Sequence, residues 1–114
     1  MGGTVSYQHK SLAAGRWNSI PFLEQMAHIG GEVERALNWK KKGNQENGLL
    51  AYERALELCD LLLDDPKNRP RLKELARVRE SLVDFFQGTN EYGSSDPLLR
   101  KYFAEFAYAA RRNH

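Results

Sequence analysis

Apolar residues return at steps of three and four along four separate stretches of the chain, and each stretch is fenced by residues that start or stop helices. A period near 3.6 gathers such residues into one stripe along a helix. The stripe can leave water only by packing against other helices. No alternating apolar–polar run competes with this pattern, so the sequence predicts an all-α fold. Short connections between the helices make antiparallel neighbours the default, which gives a four-helix antiparallel up-down bundle.

The first helix is expected to open near Ser19 to Pro21, with Phe22, Met26, Ile29, Val33 and Leu37 as its stripe. Gly30 and Gly31 interrupt it at a cost of roughly 1 kcal/mol each relative to alanine. They either admit a neighbouring helix closely or mark a bend. Lys40, Lys41 and Lys42 face the negative end of the helix dipole, and Gly43 supplies a left-handed cap. The second helix is capped by Asn44 or Asn47 and carries Leu49, Tyr52, Leu56, Cys59 and Leu63 inward, before Asp64-Asp65-Pro66 stops it. The third follows Asn68 and runs to Gln87, with Leu72, Leu75, Leu82 and Phe86 as its stripe and Gly88 as its stop. Thr89 to Ser95 reads as a loop. Asp96 then caps the last helix, with Pro97 in its first turn and Leu98, Tyr102, Phe106 and Ala109 facing inward.

With 114 residues there is room for one domain, expected over residues 18–114. Residues 1–17 are rich in glycine, serine and polar side chains without a sustained period, and read as a loose N-terminal tail. One cysteine rules out an internal disulfide; lying in an apolar run, Cys59 reads as a buried thiol. No stretch reaches the ~20 apolar residues of a membrane span and no signal-peptide core follows Met1, so the expectation is a cytoplasmic protein without membrane association. A net charge of +2 is too small to indicate nucleic-acid binding unless the charges are concentrated.

They are concentrated in two places. Arg69, Arg71, Lys73 and Arg77 open the third helix, and Lys40, Lys41 and Lys42 close the first. Phosphate contacts require little more than such surface cations, so these seven are the candidate nucleic-acid-binding residues. The plainer reading is a solvated face whose arginines pair with Glu80, Asp84 or other acids. Tyr102, Phe103 and Tyr108 exceed what one buried stripe can hide, which marks them as a candidate interface between copies. Glu24, His28 and Glu32 share one helix face and are the weak metal candidates; lying opposite the apolar stripe, they read more simply as a charged face. No second Glu-x-x-His completes a di-metal centre, no histidine lies in a nucleophile motif, and no cofactor is expected.

Trp17 to Met26, Ala51 to Leu58 and Asn90 to Ser94 together resemble a family of short prokaryotic helical proteins, similar in size and helix pattern to the HEPN superfamily. The resemblance covers about residues 17–114. It implies a helical bundle that partners a nucleotidyltransferase or acts on RNA. HEPN ribonucleases carry an arginine shortly before a histidine at a dimer cleft. Here His28 stands twelve residues beyond Arg16, and Arg111 and Arg112 lie too close to His114 to supply that pair. The expectation is therefore a non-enzymatic, HEPN-like interaction module, a homo-oligomer that binds a protein partner or RNA-related machinery. The alternatives are a HEPN-like RNA-cleaving or nucleotide-processing enzyme, and a plain nucleic-acid-binding bundle using the basic face of the third helix.

Overall fold

The computed structural model describes residues 15–112, which are all-helical with no strand. Of the loose tail expected over residues 1–17, residues 1–14 lie outside the described residues. A helical turn at 15–18 leads into α1 (Phe22–Lys41), followed by α2 (Gln45–Asp64), a 3₁₀ segment (Pro66–Arg71), α3 (Leu72–Gln87) and α4 (Asp96–Arg112).

Local chemistry explains most boundaries. Lys40 and Lys41 occupy the last turn of α1, and Gly43 takes the left-handed conformation at φ +75°. Of the two candidate caps of α2 the structure uses Asn44, whose Oδ1 accepts from the Asn47 amide at 3.0 Å. α3 starts later than the sequence suggests. Pro66 and Pro70 cannot donate backbone hydrogen bonds, and the stretch between them winds as 3₁₀ helix, capped by Asp65 Oδ1 on the Lys67 amide. The cap of α4 is Ser95, not Asp96: its Oγ accepts from the Leu98 amide at 3.3 Å, and its carbonyl accepts from Leu99. Asp96 instead binds Arg100 one turn on.

The core is built around α1. Met26, Ile29, Val33, Ala36 and Leu37 are buried against Ala51, Ala55, Cys59 and Leu62 of α2 on one side and Leu99 and Phe103 of α4 on another. α3 adds Leu75 and Leu82 from its seat on α2. The senses of the helices follow from which ends meet. Gln25 bonds Asp65, Asp60 bonds Arg79 while Tyr52 bonds Gln87, and Phe22 meets Phe106 while Asn38 bonds Arg100. The start of α1 thus lies by the end of α2 and by Phe106 of α4, and the start of α2 lies by the end of α3.

Several inward assignments are corrected. Leu49, Leu72 and Leu98 are exposed, and Trp17, placed in the tail, is 5% exposed and part of the core. On α4 the buried residues are Leu99, Phe103 and Ala110, so its inner face lies one residue beyond the predicted stripe. The cause is Gly30. A Cβ there would lie 2.7 Å from the Cβ of Phe103, so α4 crosses α1 with the Phe103 side chain over the missing methyl. The glycine pair thus serves close approach.

The two glycines should answer oppositely to alanine. Gly31 has only the end of Arg35 nearby, at 3.7 Å, so Gly31→Ala should gain up to about 1 kcal/mol from helix propensity. Gly30→Ala should lose about 1–3 kcal/mol net, because Phe103 Cβ is fixed to its backbone and cannot swing aside. Urea denaturation of both variants reads the difference; equal shifts would contradict the crossing.

A buried polar knot closes one end of the core. Gln25 Nε2 donates to the Trp17 carbonyl at 2.9 Å and to Asp65 Oδ2 at 2.8 Å. Asn68 Nδ2 donates to Gln25 Oε1 at 3.1 Å and to the Leu62 carbonyl at 3.0 Å. Lys67 Nζ spans Asp65 Oδ2 and the Asn18 carbonyl. Gln25, Asp65 and Asn68 are all buried, so the 15–18 turn, the start of α1 and the 62–68 stretch are held together through their hydrogen bonds.

Candidate functional site

Because α4 packs on α1 and α3 packs on α2, the side between α3 and α4 carries an open groove of about 450 Å³. α3 contributes Val78 and Leu82, and α4 contributes Leu98, Tyr102 and Phe106. Glu74 and Arg77 stand on the α3 wall. The aromatic wall is pre-set. Tyr102 meets Phe103 and Phe106 at 5.1 and 5.2 Å in edge-on contacts, and Phe106 meets Phe22 of α1 at 6.0 Å. Burial, and after it the Glu74 carboxylate, pushes the Tyr102 phenol up to about 12, so it stays neutral at physiological pH.

The 88–95 connection shapes the mouth of the groove and is ordered by two side chains. Asp84 Oδ1 accepts from the Glu91 amide at 2.8 Å and Oδ2 from the Tyr92 amide at 3.0 Å. Asn90, in the left-handed region at φ 58°, exchanges hydrogen bonds with the backbone of Ser94. Tyr92 is thereby held at the rim with the Arg77 guanidinium 4.5 Å above its ring. Asp84 serves this loop; the ion pair reaching out of α3 is instead Arg79 with Asp60 of α2, at 2.8 Å.

The seven basic candidates do not form one patch. Lys40 lies over Phe85 near the end of α3, whereas Arg71 lies over Phe22 at the start of α1. Those two ends of α1 are about 27 Å apart at 1.5 Å per residue. Lys42 rests on Trp39, and Arg69, Lys73 and Lys41 are exposed. Arg77 alone of the seven lines the groove.

Of the interface candidates, Phe103 is only 4% exposed and belongs to the core. Tyr102 is half-buried in the groove wall, and Tyr108 is exposed with Arg112 over its ring at 5.6 Å. The metal candidates are separated along α1. Glu24 is half-buried with its own interaction, His28 is exposed beside the Trp17 ring, and Glu32 pairs with Arg35 at 3.1 Å. Among the described residues no three His, Cys, Asp or Glu side chains come together as metal ligands. Cys59 is buried, and desolvation pushes its thiol up to about 12, so it is protonated at neutral pH. No described helix is long and apolar enough to cross a membrane.

What sequence reading missed is the groove itself, with Val78 and Tyr92 in its lining; Arg77 and Tyr102 are singled out in the sequence, but for other roles. The available signal was the loop chemistry: Asn90 and Gly93 both have positive φ, which an aspartate at 84 can organise. No family model, curated protein or solved structure matches the chain.

Proposed function

We propose that the chain is a non-enzymatic helical interaction module, an antiparallel four-helix arrangement whose open α3–α4 side receives an amphipathic helix of a protein partner. The observation that carries this reading is the groove, walled by Val78, Leu82, Tyr102 and Phe106 and rimmed by Glu74 and Arg77. An apolar floor with one cation and one anion at its edge suits a helix that is apolar on one face and charged at its margins. The reading is also what the HEPN resemblance implies, a non-catalytic subunit beside a nucleotidyltransferase. Binding to RNA through Arg69, Arg71 and Lys73 is the second reading, favoured by their shared place where the 3₁₀ segment runs into α3.

Photo-crosslinking in the native host tests the first reading. A benzophenone side chain at position 102 should give one adduct of defined mass. The same group at Glu57, exposed on α2, should not, and Ser81→Arg, which fills the groove with a charged side chain, should abolish the adduct. Equal adducts from positions 102 and 57 would defeat the groove. RNA cleavage that survives stringent purification and disappears in His28→Ala would overturn the non-enzymatic reading.

A further inference from the structure

The outer face of α4 carries a second pattern. Leu98, Lys101, Glu105, Tyr108 and Arg112 follow one another at steps of three, four, three and four, and all five are exposed. They form a continuous seam on the side of α4 opposite Leu99, Phe103 and Ala110, which face the core. Leu98 and Tyr108, at 59% and 58%, are the most exposed large apolar side chains among the described residues. This spacing is the one by which two helices pack along a shared seam.

We propose that two copies of this chain pair through α4, antiparallel, about a two-fold axis beside residue 103. Reversing the helix about that point sends each residue to the one equally far on the other side. Leu98 then faces the partner's Tyr108, and Lys101 faces the partner's Glu105, with both contacts repeated by symmetry. The seam reads apolar, cation, anion, apolar, and is complementary to itself only in this sense. A parallel pairing would set Lys101 against Lys101 and Glu105 against Glu105. The helix ends agree: Asp96 lies in the first turn and Arg111 and Arg112 in the last, so antiparallel pairing brings acidic and basic ends side by side. The apolar layers are about 15 Å apart along the axis, at 1.5 Å per residue. A contact of that length belongs to the small, weak class of interface, and its central charges make it salt-sensitive.

The seam goes beyond the groove, with which it shares only Leu98, and its test leaves Leu98, Tyr102, Ser81 and Arg77 untouched. Sedimentation equilibrium at low salt should show a weak dimer for the unaltered chain. Lys101→Glu and Glu105→Lys should each raise its Kd at least about tenfold, because each turns two attractive pairs into two repulsive ones. The double variant K101E/E105K restores opposite charges and should dimerise as the unaltered chain does. Mixing the two single variants should give a heterodimer tighter than either homodimer, with every chain still carrying like charges within its own helix. That mixture separates pairing between copies from any effect on α4 itself. A chain that stays monomeric up to about 1 mM, single variants that dimerise normally, or a mixture no tighter than its components would overturn the proposal.

Discussion

Replacing Phe103 by alanine is expected to lower the stability of the fold by about 3–5 kcal/mol, the usual range for emptying a buried aromatic site. Phe103 is held over Gly30 of α1, within 2.7 Å of where a Cβ would stand, and its ring meets Tyr102 edge-on at 5.1 Å. Its removal leaves a void at the crossing of the two helices, and the close backbone approach prevents α4 from moving inward to fill it. Tyr108→Ala, five residues on and exposed, should stay within about 0.5 kcal/mol. The pair separates two roles that the sequence assigns alike. If Phe103 were an interface residue, its alanine variant would keep the urea midpoint and lose association. An unchanged midpoint would therefore contradict the crossing.

How far the fold can be read from the sequence differs from helix to helix, for physical reasons. α1 is the most legible because its large apolar residues from Met26 to Leu37 occur singly, so only one phase of the helix buries them. On α4 the apolar residues come in adjacent pairs, Leu98-Leu99 and Tyr102-Phe103, and faces one residue apart satisfy the period equally well. Only the partner helix decides, and the deciding feature is an absent side chain at Gly30, which a search for apolar positions passes over. The basic residues are harder still. Lys40 and Arg71 settle on Phe85 and Phe22, rings from other elements, and no spacing along the chain announces such partners. The groove belongs to the same class: it is made by the absence of a helix between α3 and α4, and its residues lie on two elements and a loop.

The polar knot at the start of α1 is partly legible in the sequence. Gln25 sits three residues after Phe22 and four before Ile29, on the stripe itself. A polar side chain at a stripe position must find partners inside the protein. Trp17 is the large apolar residue that covers this end of the core, with its carbonyl bonded by Gln25. The packed unit therefore includes Trp17 and Asn18, and contacts reaching 40 and more residues along the chain hold this end in place.

Removing the amide of Gln25 should cost about 2–4 kcal/mol, since Gln25→Ala leaves the Trp17 carbonyl and one contact each of Asp65 and Asn68 unmet in a buried site. The response to pH tests the mechanism more sharply. Burial alone would raise the Asp65 carboxyl, but hydrogen bonds from Lys67 and Gln25 and the Lys67 charge outweigh it and hold the group below the ordinary carboxylate range. A depressed folded pKa contributes stability that is present above the unfolded value of about 3.9 and is lost as pH falls through the folded value. Stability of the unaltered protein should therefore decline on acidification below about pH 4, and Asp65→Asn should flatten that decline while lowering stability at neutral pH. Gln25→Glu should reverse the slope above it. The substitution puts a second carboxylate against Asp65, whose mutual repulsion raises the pKa of the introduced acid, so the variant is weakest at neutral pH and recovers as that acid takes up its proton. Urea midpoints measured from pH 7 down to about pH 3 read all three curves. If Gln25→Glu were as stable as the unaltered protein at pH 7, or if Asp65→Asn kept the full acid slope, the charge balance assigned to this knot would be wrong.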